Sequence, residues 1–162
     1  MKSLAICLFA IVINTLSYCQ TIELNEIRQK YNQVNGDIDK AKTLFDRLDK
    51  KNDKNSVEKA YLGVIKSIIA DSFYNPFNKY SWFIDGKKSI ESSVKNSPTD
   101  PEIRFLRLSV QYKAPKFLGY YNNIKEDTII VLKSAKYFKE IGIYEPVKEF
   151  IVKEMKLSDI SF

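Results

Sequence analysis

The chain has 162 residues, a formal net charge of +6 from 26 Lys and Arg against 20 Asp and Glu, two cysteines and no histidine. The missing histidine excludes Ser–His and Cys–His nucleophiles and imidazole metal sites, and five scattered glycines form no phosphate-cradling loop. The cationic excess is nearly all Lys, with Arg only at Arg28, Arg47, Arg104 and Arg107, and nucleic-acid surfaces favour Arg forks, so no nucleic-acid partner is expected.

Met1-Lys2-Ser3 precedes an apolar run from Leu4 to Leu16 that is broken only at Asn14. One positive charge before a short apolar run is the pattern of a signal peptide, and the run is too short for a membrane span of about 20 residues. The expected division is a signal peptide over 1–19 and one domain over 20–162, exported to the periplasm or secreted, with no transmembrane segment in the mature chain. Ser17 and Cys19 sit where a signal peptidase reads small residues, giving a mature start at Gln20. The alternative treats Leu16-Ser17-Tyr18-Cys19 as a lipobox with a lipid anchor on Cys19, which bulky Tyr18 disfavours. Both cysteines, Cys7 and Cys19, fall in this segment, so the domain carries no disulfide and depends on packing. About 140 residues suffice for that, burying about 70% of the unfolded surface.

Leu24, Ile27, Tyr31 and Val34 recur at helical spacing, and Asn35-Gly36 stops that helix. Asp37 caps a second, antiparallel helix with Ile38, Ala41, Leu44, Phe45 and Leu48 inward. Asn55 with Glu58 reads as a capping box for a third, carrying Val57, Ala60, Tyr61, Val64, Ile65, Ile68 and Phe73. Asn75-Pro76 opens a fourth, whose apolar face is read as Phe77, Tyr80, Phe83, Ile84, Ile90 and Val94, up to Asn96-Ser97-Pro98. Asp100-Pro101-Glu102 opens a fifth, which Pro115 stops. Thr128 to Leu132 is β-branched enough for a strand, but Ile124, Val131, Leu132, Ala135 and Phe138 extend at helical spacing, so a sixth helix is expected. Glu145-Pro146 opens the last, with Val147, Phe150, Ile151 and Met155 inward. The expected fold is all-α, with about seven helices in antiparallel hairpins.

Gly86, Ile90, Ser93 and Pro98 stand at the small–large–small–Pro offsets of a tetratricopeptide repeat, and Ser56 to Pro98 resembles one such unit. Leu62-Gly63 matches two positions of the first-helix signature, while Lys59 and Lys66 replace its aromatics and the unit exceeds the usual length of about 34 residues. The resemblance implies a tetratricopeptide-like right-handed stack with a C-terminal capping helix. The stretch through Glu102-Ile103-Arg104-Phe105-Leu106-Arg107 and Phe117-Leu118-Gly119-Tyr120 also resembles exported proteins of Bacteroidetes-type bacteria, which implies an envelope setting and carries no activity.

Catalysis without His or Cys would rest on carboxylates, Lys or Tyr. Glu126-Asp127 and the Asp46, Asp49 pair read as solvated helix charges, and no catalytic residue, metal site or cofactor is expected. Trp82 points off the expected apolar face of its helix, either as a rim aromatic or as a groove wall. The loop Lys113 to Asn123 carries Lys116, Phe117, Tyr120, Tyr121 and Asn122, whose rings either tuck into the core or meet a partner. The leading expectation is a protein-interaction or scaffold module binding a protein or peptide in the cell envelope through Trp82, Lys116, Phe117, Tyr120, Tyr121 and Asn122. The alternatives are a small carboxylate-dependent enzyme on envelope polysaccharide and an inhibitor or immunity protein. Lysines alternating with acids read as a solvated surface, with attraction to anionic lipid or polysaccharide left open.

Overall fold

A computed structural model describes residues 23–34 and 36–157. The expected signal peptide, its cleavage site and Cys19 lie outside these residues, as do Asn35 and the last five positions. The described residues are all-α, with no strand among them. Helix α1 covers residues 23–34, α2 Ile38–Lys50, α3 Ser56–Asp71, α4 Pro76–Asn96 and α5 Pro101–Lys113. A 3₁₀ turn at Lys116–Leu118 precedes α6 (Ile124–Leu132), α7 (Ala135–Glu140) and α8 (Tyr144–Glu149), which runs into a π-helical turn at Phe150–Glu154. Thr128 to Leu132 is helical, and the single sixth helix expected from the spacing is two, parted at Lys133 and Ser134.

The helix starts follow from local chemistry. The Asp37 carboxylate accepts from the amides of Asp39 and Lys40, both at 3.1 Å. Asn55 and Glu58 form a complete capping box, each side chain accepting from the other's backbone N–H at 3.0 Å. Asn75 caps Phe77 at 2.9 Å ahead of Pro76, and Asp100 caps Glu102 and Ile103 ahead of Pro101. Each cap satisfies helix-start N–H groups that have no partner within the helix.

Helices α1 and α2 are antiparallel neighbours, since Glu26 meets Arg47 while Glu23 meets Lys51. Helices α3 and α4 form a closely packed hairpin, and its cause is a pair of facing glycines. A Cβ on Gly63 would lie 2.6 Å from the Gly86 carbonyl oxygen, and one on Gly86 would lie 2.5 Å from the Gly63 carbonyl oxygen. Only hydrogen fits at that crossing. Ile90 and Ser93 are buried on the same face.

Helix α5 is the central element, buried on all sides from Glu102 to Gln111. A helix enclosed in this way is ordinarily apolar all round. This one carries Glu102, Arg104 and Arg107, so each charge needs a counter-charge inside the protein. Arg28 of α1 forks onto Glu102 through Nε and Nη2 at 2.8 and 2.6 Å, and the Tyr61 hydroxyl donates to Glu102 Oε1 at 2.7 Å. Asp127 of α6 accepts from Arg107 Nε and Nη2 at 2.7 and 2.8 Å and from Arg104 Nη1 at 2.9 Å. Asp127 is fully buried, which corrects its reading as a solvated helix charge; Glu126 stays exposed, 3.0 Å from Arg104. Burial works against the Arg107 charge, but its contacts with Asp127 and Glu91 prevail and hold its pKa above the usual value. The C-terminal elements cover α5, with the Phe138 and Phe150 rings edge-on to Phe105 at 6.1 and 5.7 Å.

Candidate recognition surface

The loop between α5 and α6 is fixed from beneath. Tyr120 is only 5% exposed, and its ring lies edge-on to Phe83 at 6.0 Å, with the Lys87 ammonium 4.8 Å from its centroid. Its hydroxyl donates to Glu91 Oε1 at 2.7 Å, and Glu91 Oε2 accepts from Arg107 Nη1 at 3.2 Å. Burial, and then the Glu91 carboxylate, push the Tyr120 phenol well above its ordinary pKa, so the hydroxyl stays a donor. The loop anchor is thereby tied to the ionic centre of α5. Gly119, in the left-handed region at φ 62°, lets the chain reverse between the 3₁₀ turn and Tyr120. At the far end the Gln111 amide donates to Asn123 Oδ1 at 3.3 Å.

What this anchoring leaves outside is aromatic and amide. Phe117 is 86% exposed and Tyr121 51%, flanked by exposed Lys116 and Asn122. The six residues singled out from sequence therefore divide. Lys116, Phe117, Tyr121 and Asn122 face solvent, Tyr120 is packed, and Trp82 is half-buried between Phe45 and Phe73 at centroid distances of 5.2 and 5.4 Å.

Three further rings stand out at the tip of the α3–α4 hairpin: Tyr74 before the helix, Phe77 in its first turn (84% exposed) and Tyr80 (58%). This overturns the inward placement of Phe77 and Tyr80. The buried face of α4 is Phe83, Gly86, Ile90, Ser93 and Val94. At 100° per residue, Phe77 points about 150° from the centre of that face and Tyr80 about 90°. A face drawn through the large apolar residues alone ignores Gly86 and Ser93 and is rotated away from the true one. Tyr80 is one turn, about 4.5 Å along the axis, from the Phe83 that Tyr120 packs on. The loop and the hairpin tip thus both lie on α4, the loop through Tyr120 on Phe83 and the tip through Phe77 and Tyr80 in the first turns of the same helix.

The buried acids are committed elsewhere. Glu102 and Asp127 serve the arginines described above, and Glu58 accepts from Lys51 Nζ at 2.7 Å as well as from the Asn55 amide. Among the described residues, no group of three or more acids is placed to hold a metal ion. Comparison with family models, curated proteins and solved structures finds no match to this chain.

Proposed function

We propose that the protein is an exported interaction module that recognises a protein or peptide of the cell envelope through Phe77, Tyr80, Phe117 and Tyr121. The observation that carries this reading is the pairing of exposed rings with a buried anchor: the loop shows two aromatics to solvent while Tyr120 fixes it to α4 and, through Glu91, to Arg107. A loop already held in place loses little conformational entropy on binding, and Tyr, Phe and Asn join contact area to hydrogen bonding. Buried Gly86, Ile90 and Ser93, with Gly63 against Gly86, support a tetratricopeptide-like hairpin as the scaffold. The signal-like segment over 1–19 supports export. The carboxylate-enzyme alternative draws less support, because each fully buried acid faces Lys or Arg instead of an apolar wall that would raise its pKa.

The test is site-specific photo-crosslinking in cells, with the reactive group placed in turn at Phe77, Phe117 and, on α7, Lys136. The same discrete adduct from Phe77 and Phe117, absent from Lys136, supports the reading. No adduct, or the same adducts from all three positions, refutes it.

A further inference from the structure

Beside the glycine crossing, the α3–α4 hairpin carries a cleft of about 400 Å³ lined by Lys54, Lys59, Leu62, Lys88, Ser89 and Ser92. Its position follows from that crossing. Gly63 and Gly86 bring the two backbones together, and Leu62, next to Gly63, lines the groove with Lys88 and Ser89, two and three residues past Gly86. Lys59 lies one turn before Gly63, and Lys54 enters from the α2–α3 connection.

The charges here differ from those around α5, where each buried cation has a carboxylate partner. Lys59 is half-buried and has no carboxylate partner within ion-pair distance among the described residues. Lys54 Nζ donates to the carbonyl oxygens of Asp49, at 3.2 Å, and of Lys51. Carbonyls orient an ammonium without cancelling its charge. Lys88 has only Asp85 at 3.5 Å, a solvent-exposed i,i+3 pair of the kind worth little. Ser89 donates its hydroxyl hydrogen to the Asp85 carbonyl at 3.1 Å and so offers only lone pairs, whereas the Ser92 hydroxyl is uncommitted among the described residues. Three lysines, one available hydroxyl donor and Leu62 thus line the cleft, a set of residues suited to a compact oxyanion.

We propose that this cleft binds a phosphate group. At neutral pH a phosphate monoester carries about −1.5 to −2 charges on three acceptor oxygens, which matches three cations better than a single carboxylate does. Lysine meets phosphate as a point charge and imposes no fork geometry, so the same contacts serve a free phosphate, a soluble phosphate ester or a lipid headgroup.

The experiment titrates inorganic phosphate into the ¹⁵N-labelled protein at low ionic strength and follows the backbone amides. The expected result is saturable shifts centred on Lys59, Leu62, Lys88 and Ser92. Affinity falls at least tenfold in Lys59→Ala with Lys88→Ala, falls also in the fully surface variant Lys88→Glu, and holds in Lys136→Ala with Lys139→Ala. Circular dichroism of each variant verifies the fold. Co-sedimentation with phosphatidylcholine vesicles, with and without phosphatidic acid, separates the sources. Retention that free phosphate competes away and that Lys59→Ala with Lys88→Ala abolishes assigns the site to a headgroup; no retention, with phosphate still saturating, assigns it to a soluble phosphate. Shifts that do not saturate, that spread over lysines generally, or that persist in the double variant indicate an adventitious ion only and overturn the proposal, as does vesicle retention that the double variant keeps.

Discussion

Asp127→Asn is the most informative perturbation of the α5 centre. The substitution preserves shape but removes the charge and puts an amide NH₂ where a carboxylate oxygen accepted from guanidinium donors. Arg107 loses the acceptor for its Nε–H or for its Nη2–H, and Arg104 loses its buried counter-charge. Breaking one side of a buried ion pair costs about 3–5 kcal/mol. Glu91 still reaches Arg107 at 3.2 Å and Glu126 still reaches Arg104 at 3.0 Å, which places the loss near the lower end, about 3 kcal/mol. With an unfolding entropy of about 2.1 cal/mol/K per residue over roughly 135 residues, that corresponds to a fall in Tm of about 10 °C. Urea and thermal unfolding followed by circular dichroism measure both quantities. Replacing all three partners by apolar residues of similar volume removes the unpaired charges and is expected to be near neutral or stabilising. A loss below about 1 kcal/mol for Asp127→Asn would mean that water reaches both arginines and that the centre is not a buried ion cluster.

Other perturbations read the remaining features. Gly63→Ala gains up to about 1 kcal/mol of helix propensity but drives a methyl into the Gly86 carbonyl, an overpacking cost of about 1–3 kcal/mol, so the denaturation midpoint falls; a rise would mean the helices separate freely. Tyr120→Ala destabilises by about 3 kcal/mol or more, as expected for a buried aromatic, whereas Tyr121→Ala changes stability by less than about 1 kcal/mol in the same urea titration. The Arg47 hydrogen bonds, with help from Lys30, hold Glu26 down to about 2, so between that value and the unfolded carboxyl near 4.5 the unfolded chain binds more protons. Its contribution is therefore complete above about pH 4.5 and lost as pH falls toward 2. Glu26→Gln flattens that part of the Tm profile.

The readable parts of this fold are its local ones. Asp37, Asn55, Asn75 and Asp100 cap helices because a short polar side chain meets amides two or three residues on, and spacing in the chain expresses that directly. The ionic centre is not expressed in this way. Arg28 and Glu102 are 74 positions apart, and nothing near either one announces the other. Asp127 looks like any first-turn acid until α5 is known to lie beside it. The candidate surface was half legible. A long loop rich in rings marked Phe117 and Tyr121, but the same composition marked Tyr120, and only burial separates the anchor from the exposed pair. Phe77 and Tyr80 were misplaced because the phase of α4 is set by Gly86 and Ser93, small residues that add little to an apolar pattern yet occupy its inner face, and Tyr74 lies before that helix, where no periodicity places it.

In the proposed recognition surface, Phe77 and Phe117 act together as contacts that folding does not need. The most direct measurement is the Kd of the crosslinked partner, once purified, for the wild-type protein and for Phe77→Ser with Phe117→Ser. At least a tenfold loss of affinity is expected, with Tm unchanged within about 2 °C, since both rings are exposed. Equal affinity for the two proteins would exclude the two rings as contacts, and a collapse of Tm would assign them to the core.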